Sequence, residues 1–333
     1  MNKDAKIFGH LPDWILKTNE PQSIAACGQN YGNMIYWYAV AKFAKDKNIA
    51  MDHPAHVHES LANGRHYDKY FDIRANQIAR SEYENLIEFK KLTQQHNIKL
   101  KFLLSIGCQY YHSEIFSIPD KIRFELEEIF ESFDKVNLRG FYTESVLSHN
   151  KINYNFDVLG CPSSYLLQDI DIQFKESKID DKILLTRPGA YDTLQLRTLF
   201  KNLQNIDGCS SLYQTEREDR VDKSPPNCIE RFFKKVKNVD FVFGTRIHGS
   251  VAALSQGTPC ICIAIDSRTK ELCEIMHIPF VDWWDLKIRD SLETIKNKED
   301  LSKFINKHFD IDCQRIKKQS IKMQEYLTSL FID

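Results

Sequence analysis

No C-x-x-C pair occurs among the nine cysteines, and their number is odd. Cys108, Cys161, Cys260 and Cys262 sit in apolar runs, where a reduced thiol behaves as a small hydrophobe. A disulfide framework and a structural zinc site are therefore not expected, and a reducing, cytoplasmic setting is. Charge of one sign is also missing, since Lys and Arg total 45 against 46 Asp and Glu. Neither nucleic acid nor a membrane surface would be recruited by the chain as a whole, so any anionic partner has to be caught by a local cluster. No apolar run reaches the roughly 18 residues of a membrane span. The opening "MNKDAKIFGHLPDW" has no basic region leading into an apolar core and no small-residue cleavage site, so export by a signal peptide is not expected.

What is there is a chain of 333 residues, 42% hydrophobic and 27% charged, the composition of a folded protein with two domains of ordinary size. Strand-like runs alternate with helical patterns, which predicts an α/β fold with parallel sheets. The first series runs from the turn "QNYGN" into the helix "MIYWYAVAKFAKDK", then "SEYENLIEFKKLTQQHN" as helix, "KLKFLLSIG" as strand, "PDKIRFELEEIFESFD" as helix, "KVNLRG" and "YNFDVLGCPSS" as strands. The polar, aperiodic "YLLQDIDIQFKESKIDD" marks a boundary, giving lobes at 1–170 and 171–333. The second series passes through "KILLTRPG", "SSLYQT", "DFVFG", "CICIAI" and "IPFVD" as strands with helices between them. It ends in a long helical tail.

In open parallel sheets the turns at the carboxyl ends of strands line the ligand crevice. "FVFGTRIHGSVAALSQGTPCICIAIDSRTKELCEIM" is strand, turn and helix twice over, so "GTRIHG" and "DSRTK" are predicted on one rim. Each turn opens a helix whose first amides are unpaired and carry partial positive charge. With Arg246, His248, Arg268 and Lys270 beside them, the two starts form a small anion site suited to a multiply charged acid. The plain alternative is a structural one, with an arginine paired to Asp266 and His248 a satisfied framework residue.

The same stretch, extended to "HIPFV", resembles the C-terminal signature of the polysaccharide pyruvyl transferases: Gly, a variable residue, Arg, an aliphatic, His, a small-residue helix, Gly-x-Pro, a strand and a downstream Lys. Fainter echoes are "QNYGN", "LLSIGCQ", "LRGFYTES" and "VLGCPSS", and together they cover most of residues 25 to 285. Two positions depart. Asn33 stands where the family commonly has Asp, and Gly140 replaces the Asp that usually follows Arg139.

The resemblance implies two Rossmann-like lobes with parallel sheets in a GT-B-like pair, the active site lying in the cleft between them. It implies a transferase that moves the pyruvyl group of phosphoenolpyruvate onto two hydroxyls of a sugar as a cyclic ketal, releasing phosphate and using no metal or other cofactor. The sugar would belong to a cell-surface polysaccharide such as a capsule or exopolysaccharide, or to its lipid-linked precursor, the latter bringing the protein to a membrane surface through a local patch. In that reading His248 protonates the donor methylene and Arg246 holds a carboxylate or phosphate. Gly244, Thr245, Ile247, Gly249 and Ser250 shape the turn and its amides, while Arg187, Arg268 and Lys270 add charge on the donor. Asn30, Tyr31, Gly32 and Asn33 would meet acceptor hydroxyls, although Asn30 also suits a helix cap. The alternatives are a GT-B glycosyltransferase with a nucleotide-sugar donor and a non-catalytic partner in glycan synthesis. Three further signals are discounted: His53, His56, His58 and His66 as a metal site, Asp169 and Asp171 as a metal-nucleotide motif, and Tyr36 to Tyr38 as a sugar platform rather than a buried helix face.

Overall fold

The computed structural model describes residues 7–9, 11–52, 66–74, 78, 87, 91, 94, 98–110, 114–172, 182–187, 193–214 and 225–332. Of the helix expected at 81–97, residues 87, 91 and 94 are described and are helical, and the rest of it, with the histidines at 53, 56 and 58, lies outside the described residues. Alternation of apolar runs with amphipathic segments resolves into two parallel sheets. The first, in the order β2-β1-β3-β4-β5-β6, is built from β1 (Ile7–Gly9), β2 (Met51–Asp52), β3 (Lys69–Ile73), β4 (Leu100–Ile106), β5 (Lys135–Leu138) and β6 (Phe156–Val158). The second, in the order β11-β10-β9-β7-β8, holds β7 (Ile183–Thr186), β8 (Cys209–Leu212), β9 (Phe241–Gly244), β10 (Cys260–Ala264) and β11 (Phe280–Asp282). Every described pairing is parallel. β3, β7, β9 and β10 are buried along their whole length, which is why β7, β9 and β10 read as largely apolar runs rather than alternating ones, while β3 buries Lys69 and Asp72 among its apolar residues.

In the first lobe α1 (Asn33–Asp46), α2 (Asp120–Glu131) and α3 (Phe141–His149) cover the sheet. A 3₁₀ helix, Pro162–Leu167, leads out of it. The second lobe carries α4 (Leu194–Gln204), α5 (Ile229–Lys237), α6 (Ile247–Ser255), α7 (Ser267–Met276), α8 (Leu286–Glu293) and α9 (Lys298–His308). Finally α10 (Cys313–Phe331) returns to the first lobe. Its Phe331 ring lies 5.0 Å from Phe71, 6.0 Å from Phe43 and 6.3 Å from Phe102, and Gln319 donates to the Leu159 carbonyl at 2.9 Å. The tail is thus two helices rather than one. Asp312 interrupts it by accepting from the amides of Gln314 and Arg315, both at 3.0 Å, and so caps a new helix.

The lobes share one apolar core. It joins Ile35, Val40 and Phe43 of α1 to Val251 and Leu254 of α6 and to Met323 and Leu327 of α10. The two parallel sheets are those that the resemblance implies, and residues beyond their carboxyl ends meet, as in the hydrogen bonds of Gln109 to Asp266 and of Tyr110 to Ser267. Among the described residues no helix is long and apolar enough to cross a membrane.

Candidate active site at the lobe interface

Residues just past the carboxyl ends of the strands gather at the interface: Arg74 after β3, Arg139 after β5, Arg187 after β7, Gln214 after β8, Arg246 after β9 and Asp266 after β10. Parallel topology places them there irrespective of distance along the chain.

The β9–α6 turn is built on close backbone approach. Gly244 has φ of 155°, and a Cβ on it would fall 2.2 Å from the Thr186 carbonyl oxygen. A Cβ on Gly249 would lie 2.8 Å from Thr186 Cγ2 and 3.0 Å from Gln214 Nε2. Both glycines therefore press the start of α6 onto the ends of β7 and β8. Arg246 is the N-cap residue and offers no side-chain cap to its helix, so the first amides of α6 are left for another acceptor. Around them, Thr186 Oγ1, Thr245 Oγ1, Ser250 Oγ and Gln214 Nε2 are buried without hydrogen-bond partners among the described residues. Ile247, Gly249 and Ser250 are buried with them. Such a concentration of unsatisfied polar atoms calls for an explanation, and a bound polar ligand supplies one.

His248 is nearly buried, and its Nε2 stands 3.6 Å from the Sγ of Cys161 in the first lobe. Its ring centroid lies 5.2 Å from that of Tyr36 on α1. Burial first, then the charges of Arg139 and Arg268, hold its pKa well below the usual histidine value. The ring is neutral in the free protein.

Arg139 is the residue that sequence reasoning did not place in the site. Its side chain is fully buried, its Nε donates to the Ser105 carbonyl at 2.9 Å, and its Nη2 has no partner among the described residues. Burial lowers its pKa while Cys161, Tyr36 and Glu271 raise it. Ser105 itself adopts φ of 59° where the register of β4 against β5 shifts. That bulge turns its carbonyl toward the guanidinium. A local signal for Arg139 did exist in "LRG", a cation at the end of an apolar strand.

The other expected residues have identifiable settings. Arg246 donates through Nε to the Arg187 carbonyl at 3.0 Å. Arg187 bonds Gln204 and Tyr213 through Nη1, with its guanidinium carbon 5.0 Å from the Tyr213 ring centroid. Arg268 reaches Asp266 at 3.4 Å and acts electrostatically on both His248 and Arg139. Lys270 is ion-paired to Asp282 at 2.8 Å, which raises its pKa. The start of α7 differs from the expected open helix end, because Asp266 accepts from the Thr269 amide and hydroxyl, each at 2.7 Å. Its own carboxylate fills the position an anion would take.

The "QNYGN" turn is pinned to the second lobe. Tyr31 N–H donates to the Gln214 carbonyl at 2.8 Å, and a Cβ on Gly32 would lie 2.5 Å from Gln214 Oε1. Gln214 thus touches both this turn and Gly249. Asn30 accepts from the Gly32 amide at 2.8 Å, an Asx turn, and Gly32 rather than Asn30 is the N-cap of α1. Asn33 turns back to donate to the Cys27 carbonyl at 2.9 Å. Tyr36 and Trp37 are buried and Tyr38 is partly so, Tyr36 against the imidazole.

A family model described as polysaccharide pyruvyl transferase matches residues 30–267. No curated protein matches the chain. Among solved structures, the wall teichoic acid polymerase TagF is 9% identical with a TM-score of 0.41 over 99% of this chain and 85% of that one. The UDP-GlcNAc 2-epimerase of Methanocaldococcus jannaschii, in complex with UDP-GlcNAc and UDP, is 13% identical with a TM-score of 0.46 over 97% of this chain and 98% of that one. MnaA of S. aureus, solved with UDP, is 12% identical with a TM-score of 0.44 over 95% and 90%. At this distance the likenesses bear on neither substrate nor chemistry. The family match is of another kind, for it spans residues 30–267, from the Asn30 turn through Arg139, Cys161, Arg246 and His248 to the start of α7, and on that ground the chain belongs to the polysaccharide pyruvyl transferase family.

Proposed function

We propose that this protein transfers the pyruvyl group of phosphoenolpyruvate to two hydroxyls of a saccharide, free in a polysaccharide or carried on a lipid, and forms a cyclic ketal. The observation that carries this reading is the grouping of His248 with Arg139 and Arg268, close enough for both guanidinium groups to act on the imidazole. Two cations, a neutral ring and buried donors without partners suit a small ligand bearing a carboxylate and a phosphate.

The chemistry needs one proton delivered to the donor methylene, which leaves cationic character on the adjacent carbon. One acceptor hydroxyl attacks that carbon, the carbon–oxygen bond to phosphate breaks, and the second hydroxyl closes the ketal. Of the two hydroxyl protons released, one replaces the proton given to the methyl group and the other leaves with phosphate. His248 is the acid in this scheme. In the free protein its surroundings favour the neutral ring, and a bound trianion reverses that field, so the proton arrives with the donor. Arg246, Arg139 and the open amides of α6 hold the anionic oxygens, and Arg268 adds charge at the rim.

A thermal melt with phosphoenolpyruvate, with inorganic phosphate and with a panel of nucleotide sugars tests the donor. Phosphoenolpyruvate at a hundredfold over its dissociation constant should stabilise by about 2.7 kcal/mol. The shift should vanish in Arg246→Ala. A shift produced by a nucleotide sugar and not by phosphoenolpyruvate would overturn the reading in favour of a glycosyltransferase.

A further inference from the structure

α3 begins without a cap of its own. Its N-cap residue is Gly140, which has no side chain to accept the amide at the third helical position. That amide belongs to Thr143, and it donates at 2.9 Å to Oε2 of Glu271, a residue of α7 in the other lobe. The Thr143 hydroxyl donates at 2.8 Å to Oε1 of the same carboxyl group and accepts from the Cys108 amide at 2.9 Å. Glu271 is 1% exposed.

The space around Gly140 is already filled. A Cβ there would fall 2.6 Å from Glu271 Cβ and 3.0 Å from its Cγ and Oε2. Backbone conformation is not the reason for glycine, because φ is 179°, an extended value open to any residue. Either residue 140 caps α3 itself or Glu271 does so from across the interface, and both cannot.

The same helix is moored to the first lobe nearby. Tyr110 N–H donates to Ser267 Oγ at 3.0 Å, Ser267 N–H donates to the Tyr110 carbonyl at 2.9 Å, and Gln109 donates to Asp266 at 2.9 Å. α7 therefore spans the interface along its first turns, and Arg139 is the residue immediately before the glycine that admits Glu271.

We infer that Glu271 is a positioning residue: it caps α3 in trans, in the place a side chain at 140 would otherwise take, and so makes the setting of Arg139 depend on apposition of the two lobes. With the lobes apart, the first turn of α3 has no acceptor for Thr143, and the strand end carrying Arg139 keeps only its first-lobe bonds to the Ser105 and Ile106 carbonyls. Together they form the cap and present the guanidinium in one event. Gly140 and Glu271 are a matched pair whose roles can be exchanged.

The test is that exchange. Glu271→Gly removes the cap and clears the Cβ contact that alanine would keep, Gly140→Asp introduces a clash, and the double variant supplies a local cap. Amide exchange at Thr143 should quicken at least tenfold in each single variant and return to within about threefold of native in the double. The dissociation constant for phosphoenolpyruvate should weaken about tenfold or more in each single variant and recover in the double; this second readout rests on the proposed donor. If the native protein fails to bind phosphoenolpyruvate, the donor reading falls while amide exchange still decides the inference. Should Glu271→Gly not fold, Glu271→Leu keeps the bulk without either acceptor oxygen and must show the same loss of protection. A double variant carrying the summed losses of the singles, or unchanged exchange at Thr143 in Glu271→Gly or Glu271→Leu, overturns the inference.

Discussion

His248 of the second lobe and Cys161 of the first meet across the interface with 3.6 Å between Nε2 and Sγ. His248 comes to that contact as a neutral ring, because burial first, and then the charges of Arg139 and Arg268, disfavour its protonation. A neutral histidine surrounded by guanidinium groups has consequences for stability as well as for catalysis.

The first concerns pH. The folded ring takes its proton at a lower pH than free histidine does, so below about pH 6.5 the unfolded chain binds the extra proton. Acidification therefore favours unfolding, by at most about 1.4 kcal/mol per pH unit for this one group. Burial pushes the Glu271 carboxyl up to about 8, which contributes the opposite slope to native protein and variant alike. The His248 slope is therefore read as a difference: in urea melts between pH 5 and 7.5 the stability of the native protein relative to His248→Gln should fall as the pH drops below about 6.5. Phosphoenolpyruvate reverses the sign: titration calorimetry near neutral pH in buffers of different ionisation enthalpy should find uptake of up to about one proton on binding, absent from the variant.

Arg139 sets function against stability. A buried guanidinium with an unsatisfied nitrogen is costly to fold around, and an apolar side chain of similar length often replaces such a group without loss. Arg139→Met gives up the bond to the Ser105 carbonyl, a contribution of about 1 kcal/mol, and relieves the buried charge. It should melt within about 1 kcal/mol of native and lose most of the phosphoenolpyruvate-induced shift. A variant that melted much lower yet still bound the donor would assign Arg139 to the framework.

Gly249→Ala tests the close packing of the β9–α6 turn. Its new methyl would sit 2.8 Å from Thr186 Cγ2, forcing α6 away from the ends of β7 and β8. Overpacking of this kind costs about 1–3 kcal/mol. The expected result is a lower melting temperature together with a weaker donor shift, because the displaced amides of α6 are the ones left open for the anion.

Phe331→Ala addresses the return of α10. The ring is nearly buried among Phe43, Phe71 and Phe102, so truncation should cost about 3–5 kcal/mol. Calorimetry should record one broad loss of stability rather than a separate low-temperature transition for the second lobe.

Much of the architecture was legible because it is written locally. The apolar runs that became β4, β7, β9 and β10 are continuous, and the helices between them carry clear periodicity. Arg246 and His248 were legible because strand, turn and helix follow one another within a dozen residues. The trans cap was not, since Thr143 and Glu271 are 128 positions apart and no period or spacing encodes a carboxyl group arriving from another lobe. Gly140 appeared only as a missing aspartate, and the reason for it lay on α7. Asp312 was a cap signal inside a run whose apolar spacing continues on both sides, and the periodicity concealed the break.

The return of α10 also governs the order of assembly. The inner face of the first sheet is closed by a helix that follows the whole of the second lobe, with Gln319 bonded to Leu159 across 160 positions. During synthesis the first lobe must wait with Phe71 and Phe102 uncovered until α10 has emerged, so it cannot fold as a finished N-terminal unit in the usual vectorial manner. Cooperativity between the lobes is then a property of the path to the native state, and a pause in translation ahead of residue 313 would hold the nascent chain where it is most exposed to aggregation.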